Sequence, residues 1–311
     1  MHRGGQVWLS IFIVLVAHIF FPLSVILQLW GIHSHDFIAW LLVFYNATGY
    51  VAFIYLAGAW SWFGRPARYL FPALLVLAAV GSYPTHHDPI LLSSLANTER
   101  VVSICVGTIF FGFALFCLLS RRMNEHALQL TLPFRDGTFV VGQGGSRRLM
   151  NHHVVSPSQR YGLDILRLNS VGVRAKGLYP TDLQRYAIFG TEVVSPCEGV
   201  VAAAVDGFPD LTPPDRDTEH RAGNYVALEC DGGTVYLAHL KQGSICVKPG
   251  ERVHVGQMLG HVGNSGNTTE PHLHIHAEEG LYPGQFSGRP ALAILFDQRF
   301  LVRNDVVRIP G

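Results

Sequence analysis

Three apolar runs set the first constraint on this chain. Residues 7–30, 37–60 and 101–119 contain no Asp, Glu, Lys or Arg, and the first is broken only by Ser10, His18, Ser24 and Gln28 among its polar positions. A bilayer crossing takes about 20 such residues, so each run is long enough to span as a helix. The first run is too long for a cleavable leader and no small-residue cleavage site follows it. The charged share is 14% over the whole chain, against about 25% in ordinary soluble domains, which fits an N-terminal membrane region. Residues 69–83 are apolar but short, and read either as a fourth span or as a re-entrant or interfacial segment. The expectation is a multi-span helical region over residues 1–122 with three to four helices, at 7–30, 37–60, 69–83 where it crosses, and 101–119. The lipid bilayer is therefore a predicted partner.

The arginines bear on orientation. With four spans, Arg3, Arg65, Arg68, Arg121 and Arg122 fall on one side and Arg100 alone on the other. The positive-inside rule then puts both termini in the cytoplasm. With three spans the C-terminal half lies outside, and Arg121 and Arg122 sit on the side the rule disfavours. Trp30, Trp40 and Trp60 mark expected interfaces. His18 and Asn46 lie inside predicted spans and are read as helix–helix hydrogen-bonding groups rather than a transport pathway. The net charge of +1 gives no support for a nucleic-acid partner.

After Arg122 the pattern changes. Residues 123–134 read as a connector, with a helical extension over 123–132. From there to residue 311, short apolar runs alternate with turn signals, as in an all-β domain of short antiparallel strands with sandwich or barrel-like character. Strands are expected at 138–143, 192–195, 199–205, 225–229, 235–239 and 244–247, with a hairpin turn at Asp231-Gly232-Gly233. Gly250, Gly256, Gly260 and Gly263 punctuate very short strands. No carrier lysine sits in a Met-Lys-Met-like turn, which lowers a lipoyl- or biotin-carrier reading. Residues 206–223 form a long loop carrying Asp206, Asp210, Asp215, Asp217 and Glu219, readable as a groove wall or as a solvated excursion. The five cysteines make no CxxC pair and are read as small buried hydrophobes rather than a disulfide framework.

One stretch of this domain carries chemistry. Gly263-Asn264-Ser265-Gly266 turns into Pro271-His272-Leu273-His274-Ile275-His276. On a strand the three histidines share one face, and Leu273 and Ile275 share the other. Imidazole is a common metal ligand and proton carrier. Two more pieces fall in line: Arg160-Tyr161-Gly162-Leu163-Asp164 and Tyr236-Leu237-Ala238-His239.

In this order, residues 135–305 resemble the lysostaphin-type, LytM-like zinc endopeptidases, a family of peptidoglycan hydrolases. Its pattern is His-x-x-x-Asp, then a lone His after an apolar strand, then His-x-His. The resemblance implies a LytM-like β domain over residues 135–311 with Zn2+ held by Asp164 and His274. His239 and His272 become the pair that handles the attacking water and steadies the tetrahedral intermediate. The family's first ligand position is Arg160 here, and a guanidinium has no lone pair to offer. His153, with His152 as the alternative, is the expected replacement, since only one of two neighbours in an extended segment faces inward. The implied activity is a membrane-anchored zinc endopeptidase acting on peptidoglycan peptides or another peptide. The alternative is an inactive LytM-like binding module. The resemblance implies a domain outside the bacterial inner membrane, whereas the arginines favour the cytoplasm. His254, His261 and His276 receive no role.

Overall fold

Apolar runs with no charge to solvate fold here as helices. The computed structural model describes residues 3–31, 36–83, 97–123, 126–282 and 289–311, in two units, Met1–Leu118 and Leu119–Gly311. In the first unit, α1 (Arg3–Leu15) passes through a π-helical turn at Val16–Phe20 into α2 (Phe21–Gly31). The others are α3 (Phe37–Ala57), α4 (Arg65–Ser82) and α5 (Asn97–Leu119). Asp36 caps α3 by accepting from the Ala39 amide at 2.9 Å, and Pro66 opens α4 where no amide partner is needed. Three helical stretches, Trp8–Gly31, Phe37–Ala57 and Asn97–Leu119, are long and apolar enough to cross a membrane.

The short segment over residues 69–83 lies in α4, which packs antiparallel along α3. Trp40 donates to Ser82 Oγ at one end (2.9 Å) and Arg68 donates to the Tyr55 carbonyl at the other (3.0 Å). Leu29, Ile54, Trp60, Phe71 and Ala78 are buried between these helices, while Trp8, Phe12, Val76, Val80 and Val101 face outward. His18 accepts from the Ala59 amide at 2.8 Å, and Asn46 donates to Ser103 Oγ at 2.6 Å. The Asn46 bond joins two helices, as expected of an isolated polar group, whereas His18 bonds the backbone just beyond the end of α3.

The second unit is built on strands β1 (Ala127–Leu130), β2 (Gly137–Gln143), β3 (Leu163–Leu168), β4 (Glu192–Val194), β5 (Gly199–Val205), β6 (Asn224–Cys230) and β7 (Gly233–Leu240). Then come β8 (Arg252–Val253), β9 (Met258–His261), β10 (Leu273–Glu279), β11 (Ala291–Phe296), β12 (Arg299–Phe300) and β13 (Val306–Ile309). The main sheet runs β13-β2-β3-β10-β7-β6-β5-β8, with β11, β1 and β12 branching from β10, and β4 pairs β9 in a separate ribbon. The pairings are antiparallel except β1 with β11. Central β10 is therefore held on both edges, by β7 along its length and by β3 and then β11 on the other side. Leu273 and Ile275 turn into the core with Leu163, Ile165, Leu237 and Leu259.

Three local readings differ from the sequence expectation. The connector holds strand β1 rather than a helical extension, because Ala127–Leu130 finds a partner edge in β11. Residues 244–247 form no strand: Ser244 Oγ turns back on the Lys241 carbonyl at 2.7 Å. The cysteines are not uniformly small buried hydrophobes. Pairing of β5 with β6 sets Gly199 opposite Cys230, and Cys197 and Cys230 form a disulfide. Cys117 is buried, whereas Cys105 and Cys246 are exposed.

Candidate metal centre

The register of β10 against β3 and β7 assembles the site. His274 lies opposite Asp164 on one side and opposite Ala238, next to His239, on the other. Asp164 is the hub. Its Oδ1 is 2.9 Å from His274 Nδ1, 2.9 Å from His153 Nε2 and 3.5 Å from His272 Nε2. Gly162 makes room for this convergence, since a Cβ there would stand 3.1 Å from His274 Cε1.

The segment carrying His152 and His153 is a 3-10 turn, His152–Val155, not an extended chain. That corrects the extended-segment premise; His153 reaches Asp164 at 2.9 Å, and His152 is exposed. His152, His153 and Asp164 bring ligand-type atoms within 4.8 Å of one another. Buried Asn151 fixes the turn. Its Oδ1 accepts from the His153 amide (3.0 Å), while its Nδ2 faces the carbonyls of Gly145, Arg160 and Gly162. Arg160 is exposed, with its guanidinium 5.7 Å from the Tyr161 ring centre. The cation that replaces a histidine in the sequence pattern thus projects to the surface, and His153 reaches the carboxylate instead.

His239 and His272 stand side by side, with ring centres 4.8 Å apart. Each has its Nδ1 on a carbonyl of the 263–272 turn: His239 on Ser265 at 2.8 Å, His272 on Glu270 at 2.8 Å. A carbonyl only accepts, so both Nδ1 atoms carry the proton and both Nε2 atoms keep a lone pair. The turn is itself anchored. Buried Arg174 grips the Glu270 carboxylate, its Nε 2.9 and 2.8 Å from the two oxygens. Gly223 at φ +58 lies against the Ser265 backbone, where a Cβ would collide.

Burial and neighbours set the charges. Burial alone would raise the Asp164 carboxyl, but the charges of His153 and His272 and hydrogen bonds from His153 and His274 hold it well below the usual range. Burial, reinforced by His153, lowers His274. Burial, reinforced by His272, lowers His239 to about 3. His152 is lowered for the same first reason. Near pH 7 the site offers an ionised Asp164 carboxylate and neutral His152, His239 and His274 rings, O and N donors of the kind a divalent ion takes. A cleft of about 610 Å³ opens over it, lined by His152, His153, His239, His274, Arg221 and Asn267 among others.

The long acidic loop is only partly a cleft wall. Arg221 and Ala222 line the cleft, but Asp206 accepts from the Gly243 amide (2.8 Å) and Asp210 from the Asn264 amide (2.6 Å). Those acids staple the loop to the strand ends. His254 lies away from the site on Glu198 at 2.7 Å, and His261 ends β9. Sequence reasoning missed Asn151, Arg174 and Glu270. A capping Asn ahead of the His pair was a readable signal; the Arg174–Glu270 pairing across 96 positions was not.

Comparison with known proteins adds the following. Residues 182–283 match Peptidase family M23, a span that includes His239, His272 and His274 and begins after Asp164. Two proteins of Vibrio cholerae serotype O1 are similar. Peptidoglycan DD-endopeptidase ShyA is 34% identical over 116 residues, 37% of this chain and 26% of its own. Peptidoglycan DD-endopeptidase ShyC is 34% identical over 115 residues, 37% of this chain and 25% of its own. The chain thus spans about a quarter of the length of these curated relatives. Among solved structures, a zinc-containing peptidase from Vibrio cholerae is 20% identical, with 53% of this chain and 39% of that chain covered at a TM-score of 0.29.

Proposed function

The chain carries a Peptidase family M23 domain over residues 182–283, and from that premise we propose that it is a membrane-anchored, zinc-dependent endopeptidase acting on peptide bonds of bacterial peptidoglycan. The observation that carries the reading is the shared contact at Asp164: His153 and His274 each reach the same carboxylate oxygen at 2.9 Å. A catalytic zinc takes three N/O ligands and leaves one position open. Asp164, His274 and His153 supply the three, with His152 next to them as the alternative to His153. When bound, zinc supplies a Lewis acid for the scissile carbonyl and lowers the pKa of water toward about 7.

The remaining chemistry belongs to side chains. His239 and His272 present unprotonated Nε2 atoms. His272 Nε2 lies 3.5 Å from Asp164 Oδ1, the oxygen that His153 and His274 also contact. His272 therefore suits the role of general base toward water, and then acid toward the departing amine. Buried His239 resists protonation and serves as a neutral partner that orients the reactants. The cleft opens beside His239 and His274 and gives an extended peptide access.

The test uses the full chain in detergent. The expected result is about one bound zinc and hydrolysis of muropeptides. His274→Ala loses both, while His272→Ala loses hydrolysis and keeps the metal. His153→Ala weakens zinc binding more than His152→Ala; retention of zinc and cleavage when both are changed removes these residues from the ligand set. A wild-type chain that binds no zinc and cuts nothing would instead favour the non-catalytic binding module to which Arg160 points.

The same reading puts the domain on the extracytoplasmic face of a bacterial inner membrane, anchored by the apolar helices. The Cys197–Cys230 disulfide supports that side, since such bonds persist in oxidising compartments. The distribution of arginines argues for the other side.

A further inference from the structure

Behind His274 the same face of β10 continues into the protein. Alternation along the strand puts His274, His276 and Glu278 on one side and Leu273, Ile275 and Ala277 on the other. His274 Nε2 is 2.9 Å from His276 Nδ1. His276 Nε2 is 3.6 Å from Glu278 Oε1, and the other Glu278 oxygen is 3.5 Å from the Tyr236 hydroxyl. Tyr236, opposite His276 in the sheet, stacks on its ring at 4.6 Å and 3°. His276 is 1% and Glu278 0% exposed, so bulk water does not compete for these contacts. A histidine and a glutamate sealed in a β-domain core are costly to desolvate unless they are paired.

We propose that His276 and Glu278 are positioning residues for the metal ligand His274, forming a carboxylate–histidine–histidine chain that sets its tautomer and aims its Nδ1 at the metal. This rests on the zinc reading above. Without a metal His274 Nδ1 donates to Asp164 at 2.9 Å; for Nδ1 to offer its lone pair to a metal instead, the ring proton must sit on Nε2. That proton then needs an acceptor 2.9 Å away, and His276 Nδ1 provides one only if His276 carries its own proton on Nε2. Glu278 Oε1 stands 3.6 Å from that atom, a longer contact than a hydrogen bond, and as an acceptor it favours that form by charge. Stacking on Tyr236 holds the His276 ring in the plane the chain requires. Such outer partners raise the basicity of a ligating imidazole and limit its rotation, and their loss typically costs 10–100-fold in metal affinity or activity.

The test reads metal affinity and ring protonation rather than turnover. Zinc affinity of the full chain in detergent is measured by chelator competition for the wild type, His276→Leu, His276→Asn, Glu278→Leu and Glu278→Gln. Both leucine variants are expected to bind zinc about 10–100-fold more weakly. His276→Asn, whose side-chain oxygen can stand near the Nδ1 position, and Glu278→Gln, which keeps an acceptor, are expected to recover part of the loss. In nitrogen-15 spectra of the zinc-loaded wild type, His276 is expected to be protonated at Nε2. Wild-type binding with all four variants unchanged, or a His276 proton on Nδ1, overturns the inference and leaves the zinc reading in place. A wild type that binds no zinc overturns both. Should the leucine variants fail to fold, the polar pair carries the test, and undiminished affinity in both overturns the inference.

Discussion

At the scale of single residues, burial decides what the imidazoles can do, and pH exposes it. His239 is lowered from 6.5 to about 3, and His274 is lowered from the same starting value. In the unfolded chain these rings take up protons below about 6.5; in the folded chain they resist. The unfolded state therefore binds more protons as pH falls, and stability drops. The contribution is fully present above 6.5 and is lost as pH falls, for His239 progressively toward about 3, by up to about 1.4 kcal/mol per pH unit for each ring. Asp164, held below its ordinary 3.8, adds a loss of the same sign at lower pH. Thermal melts of the metal-free chain should show Tm falling between pH 7 and pH 5, with a shallower fall in His239→Gln. An equal slope in that variant would exclude His239 as a source. The ring-bearing positions were legible in the sequence because Asp164, His239, His272 and His274 follow a recognisable order. Glu278 and the role of His276 were not, since they depend on a buried side chain meeting a partner that sequence spacing does not identify.

At the scale of elements, the 263–272 turn is the part that converts fold into chemistry. It offers the carbonyls of Ser265 and Glu270 to the two non-ligand histidines, and Arg174 pins it through Glu270. The Arg174 side chain is buried, so removing its partner or the arginine itself leaves a charge uncompensated. Breaking a buried pair on one side costs about 3–5 kcal/mol, whereas replacing both partners by apolar groups is often close to neutral. Arg174→Met is thus expected to lower Tm sharply and to reduce kcat through a displaced His272. The double variant Arg174→Met, Glu270→Met should regain most of the stability but not the kcat. A single variant as stable as wild type would show that the pair does not hold the turn. The turn's glycine and asparagine signals were readable, and so were the strands on either side. Strand β1 was not, because its four residues pair with an edge 166 positions away and carry no local signal of their own.

At the scale of the whole molecule, the division into an apolar helical part and a strand-rich part was plain from charge depletion and from glycine spacing. Which side of a membrane receives the second part was not, because two physical rules disagree. Arginine asymmetry follows insertion and favours the cytoplasm, whereas the proposed substrate class lies outside it. The Cys197–Cys230 bond supplies a readout independent of both, because thiols in the cytoplasm are kept reduced. In membranes prepared with thiols trapped at lysis, an extracytoplasmic domain should leave Cys197 and Cys230 unreactive to an alkylating agent until a reductant is added. Exposed Cys246 should label at once and serves as the internal control. Single and paired Cys→Ser variants identify which residue takes up the label. An alkaline phosphatase fusion after residue 122 should be active in the same cells. If Cys197 and Cys230 label without reduction and the fusion is inactive, the domain faces the cytoplasm. Peptidoglycan is then out of reach, and the substrate is a cytoplasmic peptide or the role is regulatory.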